Sequence, residues 1–401
     1  MANTLVTVAL ALLFRYADFV ALLGGTEFHL GWIVGVGMVG SVSMRLILGS
    51  GIDHHGPRRI WIVSLAALAL ACVGHLGIHD HSGVPIYALR IVFCTALAGI
   101  FGASTTFISG GASAERMAEL IGMLGTSGFL GMMLGTQLGD LLCGTPSLER
   151  WQVNQMFVTA GLLAACAIPF AWWATRGEAP PGRQHRMSIV GVLRHHQPGT
   201  ILLVGIISGA TISMPATFLR PFAAQLGISR IGLFFAVCAA SAVTTRILTR
   251  RLPERLGLPP LVLFGLAVMV VSQCLFLLVR CQWQLAVPGV TFGVAQGILF
   301  PTVTAAASGS FPRQHRGLGI TLILAAFDLG PLIGAPVVGM ILHASGLLGL
   351  PGYSTVFLAM AGCVMTVGMC YAAFPTRAGR ARSKPRRHAE EPRAAPTPPL
   401  R

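Results

Sequence analysis

The chain has 401 residues, of which 54% are hydrophobic and 10% charged, where a soluble domain carries roughly 45–50% and about 25%. That balance nearly excludes a water-soluble fold. Twenty-eight basic residues against 13 acids give a formal charge of +15, but eight of the basic residues follow Phe374. The charge is a property of loops and tail, so it is poor evidence for nucleic-acid binding, and no nucleic-acid partner is expected.

The first segment, Met1 to Leu13, is apolar and has no basic residue before it. It lacks the basic leader and small-residue cleavage site of a secretory signal and reads as the first membrane span. A helical span needs about 20 mainly apolar residues to cross roughly 30 Å of hydrocarbon. Segments of that kind recur twelve times, at 3–23, 31–50, 59–78, 85–107, 119–142, 154–175, 199–220, 229–249, 259–279, 284–307, 317–342 and 353–374. The prediction is therefore an all-α polytopic membrane protein with short connections.

Arginines orient it, because basic residues are enriched in cytoplasmic loops. With the N-terminus inside, the inner connections and tail hold 20 basic residues and the outer ones four, Arg150, Arg220, Arg230 and Arg280. Both termini are then cytoplasmic in a cell membrane. The stretch 176–198 carries Pro180, Pro181, Gly182 and Pro198 with four arginines, and reads as a linker between six-helix bundles at 1–175 and 199–374. The proline-rich basic segment 375–401 reads as a disordered cytoplasmic tail. The nine cysteines have no C-x-x-C spacing and read as small buried hydrophobes.

The halves look duplicated. At an offset of 201, Arg45 falls on Arg246, Asp53 on Glu254 and Gly56 on Gly257. Gly131 and Gly135 fall on Gly330 and Gly334 at 199. An acid coinciding with an acid is the informative match, since only 13 exist. The segment Gly49-Ser50-Gly51-Ile52-Asp53-His54-His55-Gly56-Pro57-Arg58-Arg59, between spans 2 and 3, resembles the loop signature of the major facilitator superfamily. Leu252-Pro253-Glu254-Arg255-Leu256-Gly257 resembles its weaker second-half copy. The resemblance implies two pseudo-symmetric six-helix bundles rocking about a cavity lined by spans 1, 4, 7 and 10. His54 and Pro57 depart from the usual pattern. Arg45, Asp53, Gly56, Arg58, Arg59, Arg246, Glu254 and Gly257 form the expected gating loops, in which a carboxylate pairs with guanidinium groups or free helix amides and must let go when the bundles move.

Charges inside spans cost about 2.5–3.5 kcal/mol each, so they tend to face a wet cavity or a partner. Arg15, in span 1, is the first candidate to contact an anionic cargo group; an internal pair with Asp18, three residues on, is the competing reading. Asp328, before Leu329-Gly330-Pro331 in span 11, is a candidate proton carrier with Asp18, or else the partner of an arginine from the other bundle. Gln137 and Gln296 can bind cargo or bridge helices. Arg90 reads as snorkelling to the interface. Gly125, Gly128, Gly131, Gly135 and Gly139 fall within about a 120° sector of span 5. With Gly330, Gly334, Pro336 and Gly339 of span 11 they are expected to face the opposite bundle, as sliding surfaces or as static packing.

His79-Asp80-His81 reads as a solvated loop more than a metal site, and neither cofactor nor catalytic constellation is evident. The expectation is a monomeric secondary transporter in the lipid bilayer, moving a small organic anion with protons by alternating access. The alternatives are efflux of amphipathic compounds by proton antiport and a non-transporting sensor of the same fold.

Overall fold

The computed structural model describes residues 1–111, 114–144, 148–176, 199–311 and 316–374, and only the backbone of 48–55, 109–111, 114–123 and 316–318. The expected linker beyond Arg176 and the tail from 375 lie outside the described residues.

Among the described residues there is no strand. Eleven helices are long and apolar enough to cross a membrane: α1 (Ala2–Leu22), α2 (Glu27–Ile47), α3 (Gly56–His75), α4 (Val84–Ile108), α6 (Arg150–Ala174), α7 (Ile201–Gln225), α8 (Gly232–Thr249), α9 (Leu258–Leu278), α10 (Gln282–Gly309), α11 (Gly319–Leu347) and α12 (Gly352–Ala373). The remaining expected span is α5 (Ala114–Cys143), a helix of 30 residues that is long enough but diluted by glycines, Gln137 and Asp140. The largest boundary differences are five residues: α5 starts at Ala114, α7 runs on to Gln225 through Pro221, and α11 runs on to Leu347.

The exterior is apolar, as lipid requires: Val63, Leu70, Leu248 and Met369 are exposed. Five of the six tryptophans are exposed at helix ends, Trp32, Trp151 and Trp283 on the face of the α1–α2 turn and Trp172 and Trp173 on the opposite face. These are the two aromatic belts of a membrane protein. The cysteines depart from expectation: Cys72, Cys94, Cys143 and Cys238 are buried, whereas Cys166, Cys274, Cys363 and Cys370 are exposed on outward helix surfaces and Cys281 in a loop.

The duplication is visible in the core. His75 stacks on Phe157 with ring centroids 4.8 Å apart, and Phe19 meets Phe157 edge-on at 5.0 Å. In the second half Phe276 stacks on Phe357 at 4.7 Å, and Phe222 meets Phe357 edge-on at 5.1 Å. The matched positions are offset by 203, 201 and 200 residues, and each set ties the first, third and sixth helices of its half. Such pairs add about 0.5–1.5 kcal/mol each to ordinary burial.

The loop glycines also repeat. Gly56 has φ 76° and ψ 153°, and Gly257 has φ 82° and ψ 174°, a backbone region open essentially to glycine alone. Each turns the chain sharply into the next helix, α3 or α9, and a proline within two or three residues then pre-sets the first turn.

The glycine faces of α5 and α11 meet their own half first. A Cβ on Gly131, Gly135 or Gly139 would run into Thr7, Val8 or Arg15 of α1, and one on Gly330 or Gly334 into α7 at Ala210. The expectation that these faces meet the opposite bundle is thus corrected for those five glycines. Contact between the halves is left to Gly125 beside Arg246, and to Pro336 and Gly339 against Gly35 and Phe28 of α2. Helices α2 with α11, and α5 with α8, form the seam.

Candidate functional site

Helix α1 is not continuous. A 3₁₀ turn at Leu13–Arg15 interrupts it, with Arg15 at φ −90° and ψ 16°. The kink carries the Arg15 side chain inward, where it is 1% exposed. Its Nε pairs with Asp18 at 2.8 Å, and its Nη1 with Asp140 of α5 at 3.0 Å. Nη1 also points at the Gly139 carbonyl (3.4 Å), and Nη2 donates to the carbonyl of Ser229 in the α7–α8 turn at 3.3 Å.

Asp18 bridges onward. Arg220 of α7 donates through Nε to its carboxylate at 2.9 Å and through Nη1 to the Ile228 carbonyl at 3.3 Å. Asp140 closes the ring. It accepts the backbone amides of Ile231 at 3.2 Å and Gly232 at 2.6 Å, the first amides of α8. A carboxylate at a helix N-terminus satisfies orphan amides and meets the positive end of the helix dipole. A Cβ on Gly232 would stand 2.8 Å from Asp140 Oδ2 and 3.0 Å from the Gln137 amide, so only glycine admits both side chains.

Two guanidiniums and two carboxylates therefore cancel in a buried ring joining α1 and α5 of the first half to α7 and α8 of the second. Such a ring is held by geometry more than by net energy. Removing one partner costs about 3–5 kcal/mol because the other is left charged and buried.

A second layer lies deeper in the seam. Arg45 of α2 pairs through Nε with Asp328 of α11, and Ser41 donates to the same carboxylate at 2.6 Å. Arg246 of α8, at the duplicate position of Arg45, is placed differently. Its guanidinium carbon lies 4.7 Å from the ring centroid of Phe129 of α5 and 5.8 Å from that of Phe300 of α10. Its Nε is buried with no hydrogen-bond partner, and among the described residues no carboxylate pairs with it. Arg246 lies in the last turn of α8, and its cation–π contacts contribute about 0.5–2 kcal/mol.

The ring brings together Arg15 and Asp18, the sequence's site candidates, with Asp140 and Arg220, which the sequence placed only at helix ends, Arg220 as an outer-mouth or interfacial residue. In this conformation Arg15 is fully engaged by protein, so the cargo contact expected of it gives way to the competing internal pair, extended to Asp140. Gln137 is exposed beside the ring, and Gln296 accepts from the Cys238 thiol at 3.6 Å within its own half. Arg90 does not snorkel outward; its guanidinium lies 4.5 Å from the Tyr16 ring centroid and 4.9 Å from that of Phe93. Of the gating-loop residues, Arg58 lies 5.6 Å from the Trp172 ring, while Arg59 and Glu254 are exposed. The Asp53 side chain lies outside the described residues. In the α3–α4 loop, Asp80 accepts from the Ser82 amide at 3.0 Å and from its hydroxyl at 2.9 Å, bonds that hold its carboxyl below the usual range.

The architecture of two duplicated helical bundles matches a large class of solved proteins. The nucleoside transporter NupG superposes with a TM-score of 0.72 at 13% identity, covering 93% of this chain and 97% of that one. A bacterial homologue of the human lysosomal transporter Spinster, described as inward-facing and unoccupied, gives 0.72 at 13%, covering 94% and 95%. The human organic anion transporter MFSD10 (TETRAN) gives 0.60 at 17%, covering 92% and 96%. At these identities the likeness establishes the fold. In sequence, multidrug resistance protein MdtG of Salmonella paratyphi C (strain RKS4594) is 24% identical over 290 residues, 69% of each chain. The profile of the Major Facilitator Superfamily matches residues 1–282 and again 201–400, and the chain belongs to that family of membrane transporters.

Proposed function

We propose that the protein is a secondary active transporter that moves a small organic anion with protons by alternating access, as a monomer in the cell membrane with both termini cytoplasmic. In that orientation the α1–α2 and α7–α8 turns face outward. The ring of Arg15, Asp18, Asp140 and Arg220 is then the outer gate, held shut, and it is the observation that carries the reading. All four side chains are spent on joining the halves at one face. That use suits a contact that must form and break, because charged pairs are directional and lose little when water replaces them. Cargo is bound between the halves near the midplane, with Gln137 and Gln296 as further polar groups available to it. Asp328, with Asp18, carries the coupling proton: its pair with Arg45 crosses the seam, so protonation would release α2 from α11. The loops around Asp53 and Glu254, turned by Gly56 and Gly257, govern the opposite face.

A second reading, efflux of amphipathic compounds by proton antiport, is favoured by the relatives named multidrug resistance protein. Proteoliposome flux separates the two. Under an imposed pH gradient, labelled carboxylates should be taken up and lipophilic cations ignored. Movement of the cations alone would transfer the protein to the second reading, and movement of neither would end both.

A further inference from the structure

We infer that Arg246, framed by Phe129 and Phe300, is the anchor for cargo, and that it takes an organic monoanion bearing a flat apolar ring. The inference rests on the transport reading above and specifies its substrate.

The duplicated architecture supplies the comparison. Arg45 and Arg246 occupy matching positions at an offset of 201, each on the helix that reaches across the seam. Arg45 finds Asp328. At the offset of 199 that relates α5 to α11, the position matching Asp328 is Phe129, an aromatic ring where the other half has a carboxylate. The negative partner on this side has to come from outside the chain. The Arg246 Nε is buried without a hydrogen bond, whereas buried donors almost always have an acceptor. Arg45 and Asp328 cancel; Arg90, whose Nε is likewise buried without a hydrogen bond, is packed inside the first half on Tyr16 and Phe93, which leaves Arg246, among the described residues, as the uncompensated cation in contact with rings of both halves.

The surroundings define the rest of the ligand. A guanidinium presents paired N–H groups that fit a carboxylate in two parallel hydrogen bonds. Phe300 is 39% exposed and lies 5.4 Å from the Phe327 ring, leaving an apolar aromatic surface beside the charge. A flat ring can stack there while its carboxylate meets Arg246. Gly125 makes room, because a Cβ there would stand 2.6 Å from Nη1. Phe129 belongs to the first half and Arg246 and Phe300 to the second, so one ligand would touch both bundles.

Benzoate and its uncharged analogue benzamide are suitable probes, with binding to the purified full-length protein measured by calorimetry. The wild type should bind benzoate at least tenfold more tightly than benzamide. Arg246→Gln should lose at least tenfold in benzoate affinity with benzamide unchanged, and Arg246→Lys should recover part of the loss. Gly125→Val keeps the charge but fills the space beside it, and should weaken benzoate at least fivefold. Equal benzoate affinity in the wild type and either loss variant, or no benzoate binding by the folded wild type, would overturn the site. Should benzoate bind the wild type and not Arg246→Gln while liposomes show no flux of any solute, the site stands and the transport reading falls.

Discussion

Asp18 and Arg220 are 202 residues apart and meet at 2.9 Å, one near the end of α1 and the other near the end of α7. At the offset of 203 that relates Phe19 of α1 to Phe222 of α7, Asp18 falls one residue from Arg220, so the two sit at neighbouring places of the two halves and pair across the seam. Because the pair is buried, Arg220→Gln should cost about 3–5 kcal/mol of gate closure. A single cysteine in the α7–α8 turn should then become far more reactive to an impermeant thiol reagent. The exchanged pair, Asp18→Arg with Arg220→Asp, should recover part of the protection; labelling unchanged from wild type in Arg220→Gln would refute the latch.

Asp140 holds Arg15 and caps α8 at once. Asp140→Ala removes both acceptors and should lower stability in detergent by more than the roughly 1 kcal/mol of an ordinary N-cap, whereas Asp140→Asn keeps one amide acceptor and should fall between the two. A thermal melt of the three proteins checks the order, and an Asn variant as damaged as Ala would argue that charge alone matters.

Asp328→Asn should abolish uptake driven by a proton gradient and leave exchange of cargo across the membrane intact. Adding Arg45→Gln removes the cation stranded by the first change and should restore some of the lost stability, since the two residues share one interaction. Coupling that persists in Asp328→Asn would remove this residue from the proton path.

Gly56→Ala and Gly257→Ala should each destabilise the protein by about 1–3 kcal/mol, the usual strain of a side chain in that backbone region. The effects should be similar in the two halves and close to additive in the double variant, because each substitution strains the backbone of its own turn. Denaturation midpoints of the two singles and the double test this; a near-neutral Gly257→Ala would show that only the first corner is strained.

Most helices were legible because lipid imposes a simple rule on sequence: length and apolarity suffice, and caps or periodicity hardly matter. The one span that falls short on apolarity, α5, is diluted by the residues that do its work, the glycines that admit α1 and the Gln137 and Asp140 that reach α8. The site was legible in part. A charge pair inside one helix, Arg15 with Asp18, can be read from spacing. Their partners Asp140 and Arg220 could not, because each sits at a helix end where a charge is ordinary, and only the packing of four helices shows them turned inward. The same limit applies to the glycine faces: spacing shows a flat surface but not which neighbour it receives. That Arg246 has no carboxylate gains meaning only when its duplicate Arg45 is seen with one.

The two kinds of repeat answer to different physical demands. Gly56 and Gly257 each serve local backbone geometry, so the same residue suits both copies. Asp18 and Arg220 answer to each other. Like charges at these two places would repel, so the two halves must differ there for the pair to form. A variant that alters either residue in nature should therefore carry its compensation two hundred residues away, in the other half.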